Sequence, residues 1–433
     1  MKLWSKDNTS TSFLIEQFTV GNDLQFDHLL AKHDVQGSLA HAQMLYHSGI
    51  LNEKEYNEIK TELEKILEGI RSNEFSISGE AEDIHSYIEL LLTQRIGEAG
   101  KKIHTGRSRN DQIATDIKLY LRDEIITIKN LAAELFDTLI QLSEQHKDVL
   151  LPGYTHMQVA MPSSFGMWLA AYAESIIDDL ELLAAAYTIV NKNPLGSGAG
   201  YGSSFPLNRE LTTQLLQFGA MNYNSIYAQM GRGKSEKILS FSLASIAATL
   251  NKLCSDICLY LGQDFGFISF PNDITTGSSL MPHKKNPDVF ELTRARCSIV
   301  EAIPNTLTLL LNNMPSGYHR DVQLTKEILF PAIESLKQCL QVQITVLPQM
   351  TIKNDILSAE KYKYIFSVEA VNELVKQGVP FRDAYKQVGN DIEAGTFSFD
   401  ANTKLNHTHE GSIGNLGNDQ IVEEIKKVLA KFS

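Results

Sequence analysis

Gly277-Ser278-Ser279-Leu280-Met281-Pro282-His283-Lys284-Lys285-Asn286-Pro287-Asp288 decides the reading of this chain. Its small residues and two prolines exclude a helix interior or a central strand. Its end, Asn286-Pro287-Asp288, is a good helix start: Asn286 can cap, Pro287 suits the first position, and Asp288 complements the positive helix end. Apolar residues then recur at helical spacing through Leu292, Ile299, Ile303, Leu307 and Leu310. A loop with two hydroxyls and two lysines thus empties into a helix N-terminus, a combination suited to anions.

Working outward, the same periodicity repeats on a larger scale. Ile113, Ile117, Tyr120, Leu121, Ile125, Ile128, Leu131, Leu135, Leu139 and Leu142 predict a rod of roughly 45 Å. Ser163 to Val190 and Lys234 to Leu261 predict two more, the latter apolar on nearly all sides. Further helices are expected from 288 and from about 322. The segments Leu151 to Pro162, Asn193 to Pro206, Phe265 to Leu280 and Pro315 to Asp321 read as loops. Asp34 to Leu45 and Glu53 to Ile70 read as shorter helices, the first carrying a glycine, Gly37, that favours it less. The expected organisation is all-α: a mixed helical N-terminal domain (1–112), a long-helix bundle (113–355) and a small helical C-terminal domain (356–433). Rods this apolar need cover on every side, and one chain supplies few neighbours, so other subunits are expected to complete the bundle.

Composition narrows the function. The 433 residues are 43% hydrophobic and 21% charged, ordinary for a globular chain with a large core. A net charge of −13 argues against nucleic-acid or acidic-membrane partners, so an anionic substrate must be held by local positive groups. The N-terminal segment lacks the apolar run of a signal peptide, and every apolar stretch is interrupted before the ~20 residues of a membrane span. Cys254, Cys258, Cys297 and Cys339 fall inside helical patterns without the partners of a zinc site, which points to reduced core thiols and a cytoplasmic location.

Three further polar strings adjoin the rods. His104-Thr105-Gly106-Arg107-Ser108-Arg109-Asn110-Asp111-Gln112 carries two guanidinium forks suited to carboxylates. Gly153-Tyr154-Thr155-His156-Met157-Gln158 sets a histidine between a hydroxyl and an amide, where it can move a proton near neutral pH. Tyr318-His319-Arg320-Asp321-Val322-Gln323-Leu324-Thr325-Lys326 places Gln323 and Lys326 one turn apart. Each alone is compatible with a solvated loop or helix start.

Together these strings resemble the argininosuccinate lyases of the fumarase/aspartase superfamily: the loop at 277–288 is similar to GSSxMPxKxNP, 104–112 to HTGRSRNDQ, and 153–158 to GYTHxQ. Glu82-Asp83-Ile84-His85 and Val379-Pro380-Phe381-Arg382 match further family segments. The resemblance implies a fumarase/aspartase-like bundle, a homotetramer with sites shared between subunits, and β-elimination of argininosuccinate to fumarate and arginine without metal or organic cofactor. It implies Ser278 as the base and Lys284 as the stabiliser of the dianionic carboxylate. It assigns the proton on nitrogen to His156, oriented by Glu291. Arg109, Asn110, Thr155, Asn286, Tyr318, Gln323 and Lys326 are implied to bind substrate.

The chain also departs from the family pattern. Leu3-Trp4 is followed by Ser5-Lys6-Asp7 instead of Gly-Gly-Arg-Phe, and Glu16-Gln17-Phe18 by Thr19-Val20-Gly21 without the family's substrate-binding serine. Val159-Ala160-Met161-Pro162 replaces Arg-Ala-Gln-Pro, and Gly200-Tyr201-Gly202 replaces Leu-Ala-Gly. The family's Ser-x-Arg-Asp appears as Gly231-Arg232-Gly233, without acidic neighbours. These changes touch the arginine end of the substrate more than the elimination chemistry. The alternatives are a lyase acting on a modified argininosuccinate, or a catalytically silent crystallin-like relative.

Overall fold

The computed structural model describes residues 13–75, 83–400, 405 and 407–433. The departures at Leu3 to Asp7, and Glu82, lie outside them. The helices run α1 (Phe13–Val20), α2 (Asp23–His47), α3 (Glu53–Arg71), α4 (Ile84–Ile96), α5 (Glu98–Lys101), α6 (Arg109–Gln145) and α7 (Phe165–Val190). They continue with α8 (Arg209–Leu215), α9 (Ser225–Met230), α10 (Lys234–Leu261), α11 (Asp288–Leu310), α12 (Thr325–Val346), α13 (Ser367–Lys376), α14 (Phe381–Glu393) and α15 (Asn418–Leu429).

The long helices α6, α7, α10, α11 and α12 pack side by side around one apolar core that includes Leu139, Leu180, Leu250, Cys297 and Leu336. A second core, with Leu45, Ile59, Leu63, Ile88 and Leu92, binds α2, α3 and α4. Val371, Ala384 and Val388 make a small one between α13 and α14. Within the range 356–433, α15 packs against α7, and its Ile421, Ile425 and Val428 join the bundle core. All four cysteines are free, and Cys254, Cys297 and Cys339 are buried.

Local chemistry moves several boundaries. The 37-residue helix α6 starts at Arg109, four residues before the apolar pattern, and reaches roughly 55 Å. Ser108 caps it: its hydroxyl accepts from the Asn110 N–H, and Asp111 returns a bond to the Ser108 N–H, a capping box written into the polar string. Helix α2 runs from Asp23 without a break at Gly37. A β-carbon at that glycine would stand 3.3 Å from Asp116 Oδ1, so its small size admits α6. Helix α11 begins at Asp288 with Pro287 at the cap position, not at Pro287 with Asn286 as cap. Asn286 pairs instead with Thr276 in a two-residue antiparallel ladder and donates to its hydroxyl, while Asp288 also bonds Thr276. A 3₁₀ turn over Arg320–Leu324 precedes α12, which starts only at Thr325.

Leu151 to Pro162, expected as a loop, is an antiparallel hairpin of β1 (Leu150–Thr155) and β2 (Gln158–Ser164). Its two-residue turn, His156-Met157, holds both residues at positive φ, 53° and 60°. That is the twist a tight hairpin requires, but ordinarily asparagine and glycine supply it. Tyr154 anchors the hairpin on the Tyr362 hydroxyl at 3.0 Å and on the Phe265 ring.

The expectation that every apolar stretch is interrupted early fails at α10. That helix is long and apolar enough to cross a membrane by length and composition, but half of its most apolar window is buried within the chain. Its neighbours there are α7 and α11, which explains the all-round apolarity. On α11, Leu292, Ile299 and Leu309 stay exposed while Leu307 and Cys297 face the core.

Candidate active site

At the end of the bundle where α6 begins, a cavity of about 580 Å³ is lined by Arg109, Asn110, Tyr318, Gln323 and Lys326, five of the residues singled out from the sequence. Three elements deliver them: the first turn of α6, the 318–324 turn, and the first turn of α12. The Arg109 guanidinium donates to Gln112 Oε1 at 2.9 Å and Ser86 Oγ at 3.3 Å, and lies 3.7 Å from Glu89. Gln323 donates to the Thr19 carbonyl at 3.1 Å and accepts from Arg320 at 2.9 Å. Lys326 is held between Asp23 at 2.6 Å and Asp27 at 2.9 Å, so its positive charge is largely matched.

The sequence reading missed Asp23, Ser86, Glu89 and Arg320, which also line this cavity. Asp23, Ser86 and Glu89 lie outside the quoted strings, and only folding places α2 and α4 beside α6; Arg320 stands inside the 318–326 string but was not singled out there. Burial pushes the Glu89 and Asp23 carboxyls above their usual range, opposed by Arg109 and Lys326 respectively. Burial and the adjacent Arg107 and Arg109 bring His104 down to about 4, so it faces the cavity uncharged near neutral pH.

The two guanidiniums of the 104–112 string part company. Arg107 turns inward and donates to Ser38 Oγ at 3.0 Å. Beneath it His85 Nδ1 lies 2.9 Å from Asp34 and 3.2 Å from Asp116, all three buried. Asp34, His85 and Asp116 are close enough to hold a cation. However, the Arg107 charge acts on both carboxylates, which makes this an internally compensated network under the cavity floor. Burial would raise Asp34, but His85, Arg107 and Gln112 hold it at about 2. Burial and the neighbouring Asp34 push Asp116 well up, so of the two carboxyls Asp34 holds its charge the more readily. Asp111 reaches across to the 193–206 loop, accepting from the Gly196 and Gly198 N–H groups at 2.9 Å each.

Ser278, Lys284, Asn286 and Glu291 collect elsewhere, at the start of α11. Lys284, Asn286 and Glu291 line a separate cavity of about 650 Å³. Ser278 Oγ accepts from the backbone N–H groups of Leu280 (3.3 Å) and Met281 (3.0 Å), which favours the ionised form of the hydroxyl. The loop is exposed, with Leu280 83% accessible. Thr155 and His156 sit at a third place, the exposed tip of the hairpin. Among the described residues no hydrogen bond or ion pair joins His156 to Glu291.

One chain therefore carries the predicted residues in three groups. The 23 residues of α11 put roughly 34 Å between the Ser278 loop and the end near Tyr318, and α6 separates Arg109 from the hairpin by more. Arg109 and Ser278 of the same chain cannot act on one small molecule.

Comparison with known proteins agrees with this architecture. A family model described as a lyase matches residues 8–301. The argininosuccinate lyase of Bacteroides thetaiotaomicron is 53% identical over 100% of this chain and 96% of its own length. That of Parabacteroides distasonis is 54% identical over the same shares, and that of Thermotoga neapolitana 38% identical over 89% of this chain and 97% of its own. Among solved structures, EDDS lyase in complex with formate superposes with a TM-score of 0.74 at 21% identity, covering 98% of this chain and 91% of that one. A fumarate lyase:delta crystallin from Brucella melitensis also reaches 0.74, at 17% identity over 95% and 92%. These last two speak for the shared fumarase/aspartase-like helical fold. With three separated polar groups at the ends of one apolar bundle, and with sequence identity above one half along its whole length, the chain belongs to the argininosuccinate lyase family.

Proposed function

We propose that this protein eliminates arginine from argininosuccinate, releasing fumarate, in sites each built from several copies of the chain. Such an elimination needs a base for the carbon-bound proton, stabilisation of the dianionic carboxylate that results, and an acid for the departing nitrogen. Ser278 is the base: two backbone N–H bonds and the adjacent positive end of α11 lower the cost of its alkoxide. Lys284 and Asn286 stabilise the carboxylate as charge develops on it. His156, oriented by Glu291 of a neighbouring subunit's α11, serves the nitrogen. Thr155, Arg109, Asn110, Tyr318, Gln323 and Lys326 hold the substrate. The chemistry calls for no metal or organic cofactor.

The observation that carries this reading is the Ser278 loop itself, a hydroxyl with two N–H donors leading into Lys284, Asn286 and a helix N-terminus. The exposed Leu292, Ile299 and Leu309 on α11, with Phe241 on α10, support a homotetramer in which the bundles cover one another. The acidic chain and its free, mostly buried thiols support a cytoplasmic location. Purified protein incubated with argininosuccinate should raise the ultraviolet absorbance of fumarate in step with free arginine. Absence of both products from a correctly assembled protein would reject the assignment.

A further inference from the structure

Beside the Arg109 cavity lies a second one of about 310 Å³, and Arg232 and Tyr318 line both. Its other charged lining groups are Lys234 and Lys237, and His319 lines it too; no carboxylate lines it among the described residues. In a chain of net charge −13, a hollow lined by three cationic side chains and no carboxylate is out of balance.

Arg232 is the sharpest case. Its side chain is only 5% accessible, yet its Nε and Nη1 are buried without a hydrogen-bond partner. The nearest carboxylate, Glu236, stands 3.8 Å from Nε and also acts on the buried Lys118, so one negative charge serves two cations. The Tyr318 ring lies 5.9 Å from the guanidinium carbon and takes up none of its donors. Buried donors without acceptors are costly, and a buried guanidinium most of all, unless a ligand supplies the acceptors. Helix α10 adds to the field: its cap residue is Gly233, with no side chain to receive the first-turn N–H groups.

We propose that Arg232, Lys237 and His319 form a second anion subsite, opening onto the candidate active site through Arg232 and Tyr318, that holds a carboxylate or another small oxyanion. The anion site stands on this geometry alone. Its occupant has two sources: a carboxylate on the amino-acid end of the substrate, which rests on the proposed function, or a free anion that binds beside the substrate.

Calorimetric titration of the full chain with inorganic phosphate tests the proposal without reference to catalysis. Saturable binding is expected, weakened at least about tenfold in Lys237→Glu and in Arg232→Gln. Lys237 is half-exposed and its ammonium has no partner among the described residues, so the first variant should fold; Lys237→Ala provides a milder second. Repeating the titration with saturating arginine separates the sources. Competition assigns the subsite to the substrate's own carboxylate, and unchanged affinity to a free anion. Non-saturable heats, or equal affinity in wild type and all three variants, would overturn the subsite even if fumarate release is observed.

Discussion

Ser278 and His41 show how single side chains in this protein take their chemistry from backbone and burial. The Ser278 hydroxyl receives two N–H bonds from its own loop, so its alkoxide is better stabilised than that of a free serine. Ser278→Ala should fold normally and lower fumarate release by ~10²–10⁴-fold or more; turnover close to wild type would move the base to another group. His41, fully buried, lies with Nε2 3.0 Å from the Thr105 carbonyl, and burial together with Arg107 holds its pKa well below the ordinary value. Its folded pKa lies under the unfolded one, so below about pH 6.5 the unfolded chain takes up a proton that the folded chain refuses. Stability is therefore full at neutral pH and falls on acidification, by at most ~1.4 kcal/mol per pH unit from this group. Chemical denaturation at pH 7 and pH 5 should show that difference shrinking in His41→Gln; an unchanged difference would assign the acid sensitivity to other groups.

At the scale of elements, the hairpin and the start of α11 show strain and pairing overriding local preference. His156 and Met157 occupy the left-handed region that glycine prefers, and the tight turn lifts His156 clear of the chain's surface. Met157→Gly should relieve one of these positions and raise stability by about 0.5–1 kcal/mol in denaturant unfolding. A fall in stability would mean that the exposed methionine is buried by a neighbouring subunit. Asn286 was readable as a cap from composition, yet its pairing with Thr276 turns it into a strut that ties the Ser278 loop to the helix. The capping box of Ser108 and Asp111 went unnoticed in the sequence because both residues belong to a string that reads first as a binding motif.

For the whole molecule, the distances along α6 and α11 govern function. Rods of roughly 55 Å and 34 Å separate groups that the proposed reaction needs together, which supports the proposal that a site is completed by other copies. Co-refolding two inactive variants, His156→Ala and Ser278→Ala, should then regenerate sites with both residues intact, and activity should appear in the mixture. Mixed oligomers, verified by mass, that stay inactive would mean that His156 and Ser278 of one site come from one chain.

The amino-acid sequence by itself determined the long helices, because a 3.6-residue apolar period over twenty or more residues has no other stable outcome, and it determined the chemistry-bearing strings, because their residue types and order are local. Lys234 to Leu261 was bounded correctly from periodicity alone. What only the tertiary structure decided depends on contacts between distant segments. These are the inward turn of Arg107 against its outward neighbour Arg109, and the clamp of Asp23 and Asp27 on Lys326. They also include the hairpin under His156, the return of α15 to the bundle, and the hollow behind Arg232. Each is set by which surfaces meet across the bundle, and pattern along the chain carries no record of that meeting.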